Sequence, residues 1–333
     1  MPKISVLIPV YNAGQLVTET LRSIQRQTFS DFEVVLVDDG STDDSIGIAK
    51  ATLPRLVVVR QDHRGIAEAL NNGLTHCRGQ YIARIDCGDI AYRDRLSLQS
   101  TALDRWADHG VIGGHMKLFD AHGNELGTFR FPTTSAETEQ ELMYGHSSIS
   151  HTGAMIRKNT LTLVGGYDPF YSGREDFELW TRVSLVAKIS NLDVFVGAYL
   201  SVPGGLSFSG SLLSPLVDLA LIERAERKKN GLDWKNEELR RRYKALVDKR
   251  TQLLRDGSQV SRLHAVFYSK RAGIFRNSLE RANSLREYCR AIRSDPLYYW
   301  PWIGIISLLI PSTIYTKLVR FAKRLLNRYR GFD

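Results

Sequence analysis

The residues Tyr81-Ile82-Ala83-Arg84-Ile85-Asp86-Cys87-Gly88-Asp89 join an apolar run to two carboxylates. Tyr81 to Ile85 reads as a buried strand, which puts Asp86 and Asp89 just past its carboxyl end. Open α/β sheets bind their ligands in that crevice. Two acids there suit a hard divalent cation and the phosphates it carries, although acids at a strand end also serve as helix caps and loop formers. A second pair, Asp38-Asp39, closes the apolar run Phe32 to Val37. One carboxylate of such a set accepts from a base N–H or a ribose hydroxyl while another holds a metal. The two strand ends therefore outline a site for a nucleoside diphosphate. A third pair, Glu175-Asp176, opens a stretch with helical spacing at Leu179, Val183 and Val186. Acids in a first helical turn also complement the helix dipole, so this pair has a structural explanation as well.

The elements that must position these acids follow in alternation. Ile4 to Val10 is an apolar run of strand length, broken by Tyr11-Asn12-Ala13-Gly14, and Gln15 to Gln27 has helical spacing at Leu16, Thr20, Leu21 and Ile24. Phe32 to Val37 is a second strand, and Asp39 and Ser41 are candidate caps for a helix reaching about Ala51. Leu56 to Val59 is a third strand, Gly65 to Cys77 a third helix, and Tyr81 to Ile85 the central strand. Leu96 to Ala107 reads as a helix, Val111 to Gly114 as a short strand, Leu126 to Phe131 as a hairpin strand, and Glu137 to Tyr144 as a short helix. This alternation with short loops predicts an α/β fold with a mostly parallel, doubly wound sheet. No Gly-x-Gly-x-x-Gly follows the first strand, which argues against a dinucleotide oxidoreductase.

Charge is unevenly distributed along the 333 residues. Residues 1–210 hold 19 Lys and Arg against 24 Asp and Glu, net −5, whereas residues 211–333 hold 26 against 12, net +14. The basic third points to an anionic surface, membrane or nucleic acid. Cys77, Cys87 and Cys289 have neither disulfide-framework nor zinc-site spacing, so a reducing cytoplasm is expected. The opening residues are too short and too β-branched an apolar run for a signal peptide.

Several runs together resemble the family 2 glycosyltransferases, which have the GT-A fold. They are Ser5-Val6-Leu7-Ile8-Pro9-Val10-Tyr11-Asn12, Ser23-Ile24-Gln25-Arg26-Gln27-Thr28 and Val37-Asp38-Asp39-Gly40-Ser41-Thr42-Asp43. Gly65-Ile66-Ala67-Glu68-Ala69-Leu70-Asn71-Asn72-Gly73 and Gly79 to Asp86 continue the likeness, which extends to about residue 208. The resemblance implies an inverting transferase, taking a sugar from a nucleotide-diphosphate donor, most often a UDP-sugar, to an acceptor hydroxyl. It implies that Pro9, Tyr11, Asp39 and Asp86 line the nucleotide pocket, with Asp39 on the base. It also implies a Mg2+ or Mn2+ ion. The family's acidic motif is Asp-x-Asp, and its second Asp, a metal ligand, falls here on Gly88, so Asp86 and Asp89 are the candidate ligands. Glu175-Asp176-Phe177-Glu178-Leu179-Trp180 after Gly165-Gly166-Tyr167 is similar to the catalytic-base motif, with Asp176 at the base position and Glu175 beside it. His151, in a segment where the family usually reads His-Pro-Ser, and Trp180 are candidates for the acceptor pocket; a histidine there is equally explained as structural. Tyr199 to Ser207 resembles the loop closing the site, with Leu200 where an Arg often stands.

The expected organisation is a GT-A domain over 1–210, a basic helical extension over 211–295 and an amphipathic tail over 296–333. In the extension, Leu216 to Arg227 is apolar on one face, and the charged stretch Asn236 to Arg255, with Arg240-Arg241-Arg242, reads as a solvated surface. Leu297 to Ile310 is the most apolar run but is shorter than the roughly 20 residues that span a bilayer. Basic and apolar residues alternate from Ile314 to Arg330, which predicts an interfacial segment on the inner face of the cell membrane; docking on the core is the alternative. The expected partners are a nucleotide-sugar donor and a glycan or lipid-linked acceptor. Two other readings were weighed. One is a nucleic-acid binder using the basic third, disfavoured because its aromatics cluster away from its arginines. The other is an inactive nucleotide-sugar-binding module.

Overall fold

The computed structural model describes residues 1–120, 123–201, 214–255 and Cys289. Met1–Thr251 forms one compact unit and Gln252–Asp333 a second. The expected tail at 296–333 lies outside the described residues, as do residues 202–207 of the site-closing loop and most of the extension beyond residue 255.

The strands are β1 (Ile4–Val10), β2 (Phe32–Asp38), β3 (Val57–Arg60), β4 (Tyr81–Arg84), β5 (Ile90–Ala91), β6 (His109–Asp120), β7 (Glu125–Phe129), β8 (Met155–Arg157) and β9 (Lys188–Ser201). The helices are α1 (Leu16–Gln25), α2 (Ser45–Thr52), α3 (Ile66–His76), α4 (Arg95–Arg105), α5 (Ser135–Met143), α6 (Lys158–Leu163), α7 (Glu175–Val183), α8 (Ser214–Asn230) and α9 (Glu237–Arg255). A 3-10 turn at Pro169–Tyr171 precedes α7.

All strands join one sheet in the order β3-β2-β1-β4-β8-β6-β9-β5, with β7 paired on β6. The β3-β2-β1-β4 half is parallel. Beyond β4 the direction reverses: β8 is antiparallel to both β4 and β6, whereas β6 and β9 run parallel. The parallel half is apolar along whole strands because helices cover both faces. Successive residues of β1, β2 and β4 feed two separate cores. Leu7, Val35, Val37 and Ile82 pack with α3, α7 and α8, while Val6, Ile8, Val34, Leu36 and Ala83 pack with α1, α2 and α4. In-register pairing of β1 with both β2 and β4 brings the carboxyl ends of all three strands to one edge.

Two sequence expectations are corrected. The strand at 111–114 is the start of a twelve-residue strand, β6. Gly113 and Gly114 look like its end, but a Cβ on Gly113 would meet Asn191 Oδ1 at 2.2 Å, so the glycines mark close packing. Asp39 and Ser41 do not cap α2. Asp44 occupies the cap position and makes no side-chain cap bond. The Ser41 hydroxyl instead accepts from the Asn12 N–H at 3.0 Å.

Helices α8 and α9 are tied to α7 by a buried ionic network. Glu178, fully buried, accepts from Arg182 (Nε 2.7 Å, Nη2 2.5 Å) and from Arg227 Nη1 at 2.7 Å. Arg227 also reaches Glu223 at 2.7 Å, Glu223 accepts from Arg240 at 2.7 and 2.8 Å, and Arg240 donates to Asp168 at 2.8 Å. Arg240 lies over the Phe170 and Tyr171 rings at 5.0 and 5.5 Å. The stretch read as a solvated surface thus carries a guanidinium that is only 4% exposed. Pattern reading misses this because an arginine with two carboxylate partners occupies an interior position that its charge alone forbids.

Candidate active site

Four loops at the carboxyl edge of β1, β2, β4 and the amino end of α7 carry the candidate residues. Pro9 is half-buried in β1 opposite Val37, and Tyr11, just past it, is 49% exposed. Hydrogen bonds clamp the Tyr11–Gly14 loop to the loop after β2: Ser45 Oγ accepts from the Ala13 and Gly14 amides at 2.9 and 2.8 Å, and Asn12 Oδ1 accepts from the Thr42 amide at 2.8 Å.

Asp39 is 3% exposed, and its carboxylate is the anchor of the 61–65 loop. Oδ1 accepts from Gln61 Nε2 at 2.7 Å and from the Arg64 amide at 2.9 Å; Oδ2 accepts from the Gly65 amide at 2.9 Å. His63 Nδ1 stands 2.9 Å from Oδ2. The His63 ring is stacked on Tyr11, with centroids 4.0 Å apart and planes at 20°.

Asp86 leaves β4 with its side chain 42% exposed, and Arg84 Nη1 donates to its Oδ2. The Asp86 amide donates to Thr152 Oγ1 at 2.7 Å. Asp89 turns inward and is 7% exposed, accepting from the Leu200 amide at 3.0 Å. Burial, together with the charge of Asp86, pushes its carboxyl up to about 7. Gly88 between them has φ +101°, a left-handed conformation that an Asp would adopt only with strain.

The first turn of α7 separates its two acids. Asp176 is half-buried, and Glu175 is 6% exposed behind it. Glu175 Oε2 accepts from the Gly173 amide at 2.6 Å, and Oε1 lies 4.0 Å from His151 Nδ1. Burial, and then the adjoining Asp176 charge, push Glu175 up to about 7. Burial also raises Asp176, against the Phe177 amide and the Arg174 and Arg84 charges. His151, 8% exposed, contacts the Tyr167 hydroxyl through Nε2 at 3.0 Å, and its ring edge meets Trp180 at 5.9 Å. Burial, reinforced by Arg84, holds His151 well below its ordinary pKa, so it is a neutral imidazole at pH 7. Trp180 is 1% exposed within the core. His151 and Trp180 therefore stand beneath the acids and form no open wall.

Arg84 is the residue that sequence reasoning passed over. It is 1% exposed; burial works against its charge, but the Asp86 carboxylate outweighs that and raises its pKa. Its charge acts on Asp86, Asp89, Glu175 and Asp176 together. An arginine inside an otherwise apolar strand was the available signal, since such a charge is buried only with partners.

The acids crowd one another enough that burial and like charge hold Asp89 and Glu175 up at about 7 despite Arg84, a balance that suits a divalent cation. Among the described residues no group of three His, Cys, Asp or Glu side chains is arranged to hold one. Magnesium needs only one or two carboxylates plus phosphate oxygens, so half-exposed Asp86 fits as a ligand. Asp89 is the less open of the two candidates, 7% exposed and with Oδ1 bound to the Leu200 amide.

A family model, glycosyl transferase family 2, matches residues 5–162. The amylovoran biosynthesis glycosyltransferase AmsE of Erwinia amylovora is 31% identical over 196 residues, which are 56% of this chain and 72% of that protein. The chain belongs to glycosyltransferase family 2. EpsE of Bacillus subtilis is 30% identical over 188 residues, which are 54% of this chain and 66% of that relative, a little under two thirds of its length. The structure of S. aureus TarS 1–349 in complex with UDP-GlcNAc superposes with a TM-score of 0.54 at 20% identity, covering 89% of this chain and 93% of that one. It shares the fold, as the resemblance to GT-A glycosyltransferases implies. The family 2 match ends before α7, so Glu175 and Asp176 lie outside it.

Proposed function

We propose that this family 2 enzyme transfers a sugar from a UDP-sugar to an acceptor hydroxyl with inversion, in the synthesis of a cell-surface polysaccharide or glycan. The observation that carries it is the gathering of acids at one sheet edge: Asp39 and Tyr11 just past β2 and β1, half-exposed Asp86 past the tip of β4, and half-buried Asp176 beside buried Glu175 in the first turn of α7. The polysaccharide context is supported by AmsE, named for amylovoran biosynthesis, and the uridine donor by the UDP-GlcNAc complex of TarS.

In this reading Tyr11, Pro9 and Asp39 hold the base, and Asp86 holds a Mg2+ or Mn2+ ion with the donor's phosphates. When bound, the cation would neutralise charge on the leaving diphosphate. Asp176 takes the proton from the acceptor hydroxyl as its oxygen attacks the anomeric carbon and the bond to the diphosphate breaks. Neutral His151 and Glu175 support that carboxylate from beneath. A screen for hydrolysis of UDP-, GDP- and dTDP-sugars with each metal tests the donor class; no turnover or binding of any of them would overturn the reading.

The two sides of the pocket separate by mutation. Asp39→Ala weakens nucleotide binding with or without metal, whereas Asp86→Ala weakens it chiefly when metal is present. Calorimetric titration of UDP with and without Mn2+ checks this. Metal-dependent loss in Asp39→Ala would reverse the assignment.

Membrane attachment is a separate part of the proposal. Among the described residues no helix is long and apolar enough to cross a membrane. Six basic residues between Lys317 and Arg330, each contributing on the order of 1 kcal/mol at an anionic leaflet, and the apolar run before them support peripheral binding of the tail on the cytoplasmic side. Full-length protein floats with anionic liposomes, more weakly in high salt, and protein lacking 296–333 does not. Equal flotation of both forms removes the tail from this role.

A further inference from the structure

The Asp39 carboxylate has about four lone-pair sites and no proton to give. Three donors bind it, Gln61 Nε2 and the Arg64 amide on Oδ1 and the Gly65 amide on Oδ2, while His63 Nδ1 closes over the remaining site, 2.9 Å from Oδ2 and 3.2 Å from the Asp39 carbonyl oxygen. A base bound through its own ring N–H, such as uracil, needs that remaining site. Two of the three donors are main-chain amides. Gln61 is held from behind, its Oε1 accepting from Asn72 Nδ2 at 2.9 Å. His63 is different, being 55% exposed and able to turn about two single bonds. Its ring also covers one face of Tyr11 at stacking distance.

We propose that His63 is a built-in competitor for the donor's base: its imidazole holds the Tyr11 face and the Asp39 lone pair that a pyrimidine uses, and it swings aside when the nucleotide enters. This rests on the assignment of Tyr11 and Asp39 to the base. The swing belongs to the side chain. The main chain of the 61–65 loop packs too closely on the turn after β2 to move freely: a Cβ on Gly40, at φ +79°, would lie 2.8 Å from His63 N. His63 thereby acts as a selectivity filter. A base that replaces both contacts displaces it, whereas a base with an acceptor in place of the ring N–H meets the carboxylate unfavourably and leaves the histidine in place.

Titration of the full-length protein with UDP in magnesium tests this. His63→Ala raises UDP affinity about tenfold, the scale of one aromatic stack and one hydrogen bond released from competition. His63→Phe, which can stack but cannot bond Asp39, gains less. In wild type the His63 Hε1 proton resonance, shifted by the Tyr11 ring, moves on saturation with UDP. Unchanged or weaker binding by His63→Ala, alongside loss of binding in Asp39→Ala and Tyr11→Ala, would make His63 a wall of the base pocket and overturn the competitor. If Asp39→Ala and Tyr11→Ala both bind UDP as wild type does, the base lies elsewhere, and the assignment and the competitor fall together.

Discussion

Asp176→Asn lowers turnover by roughly 10²–10⁴-fold, the size of a general-base contribution, and leaves UDP binding within about twofold. Asp176 is the half-buried acid of its pair, so it alone can meet an acceptor hydroxyl, and the amide keeps its shape while losing basicity. The same geometry fixes the pH profile. Burial raises Asp176, and the Asp86 charge adds to the rise. A base works only when ionised, so turnover climbs with pH on an acid limb displaced above the ordinary Asp value. The Glu175 carboxyl is itself pushed up to about 7, so Glu175→Gln removes little charge along that limb and leaves it near its wild-type pH with modest loss of rate. Pre-steady-state rates over pH 4–9 for the two variants measure this. Full activity in Asp176→Asn with collapse in Glu175→Gln would exchange the roles.

The other large effect is on stability. Glu178→Ala leaves Arg182 in the core without a counter-charge and Arg227 with Glu223 alone, and breaking a buried pair from one side costs about 3–5 kcal/mol. For a unit of this size that corresponds to a fall of about 10 °C in the unfolding midpoint. Replacing all three residues by apolar ones of similar volume is far milder, because no charge is stranded. Chemical unfolding followed by circular dichroism distinguishes the two. A loss under about 1 kcal/mol in Glu178→Ala would mean that water reaches the network.

Much of this was legible in the sequence because it depends on local order. The parallel half and its acidic tips follow from apolar runs of strand length that end in Asp38-Asp39 and Asp86. The N-terminal position of Glu175-Asp176 follows from the spacing of Leu179 and Val183. What the sequence concealed depends on contacts between distant segments. Asp39 looks like a helix cap by position, yet amides 25 and 26 residues later claim it. Asp89 looks as open as Asp86, yet it is buried and an amide 111 residues away binds one of its two oxygens. His151 and Trp180 carry the residue types of a binding wall, but the packing of α7 puts them inside. Arg240 is a charge whose burial no periodicity announces, because its partners Glu223 and Asp168 come from other elements.

The ionic network also says where the working enzyme can be cut. The motifs that identify the family are complete by about residue 208, and a shortened protein would naturally be ended there. Such a cut removes Arg227 and Arg240, the partners of Glu178 and Asp168, along with Glu223, which joins the two arginines, and leaves Asp168 without Arg240 and Glu178 with Arg182 alone. It would also uncover the apolar side of α7, against which Leu216, Leu219 and Ala220 pack. The shortest chain that keeps the base-bearing helix electrically balanced runs past Arg240, and residues after the last recognisable motif are therefore part of what holds the base in place.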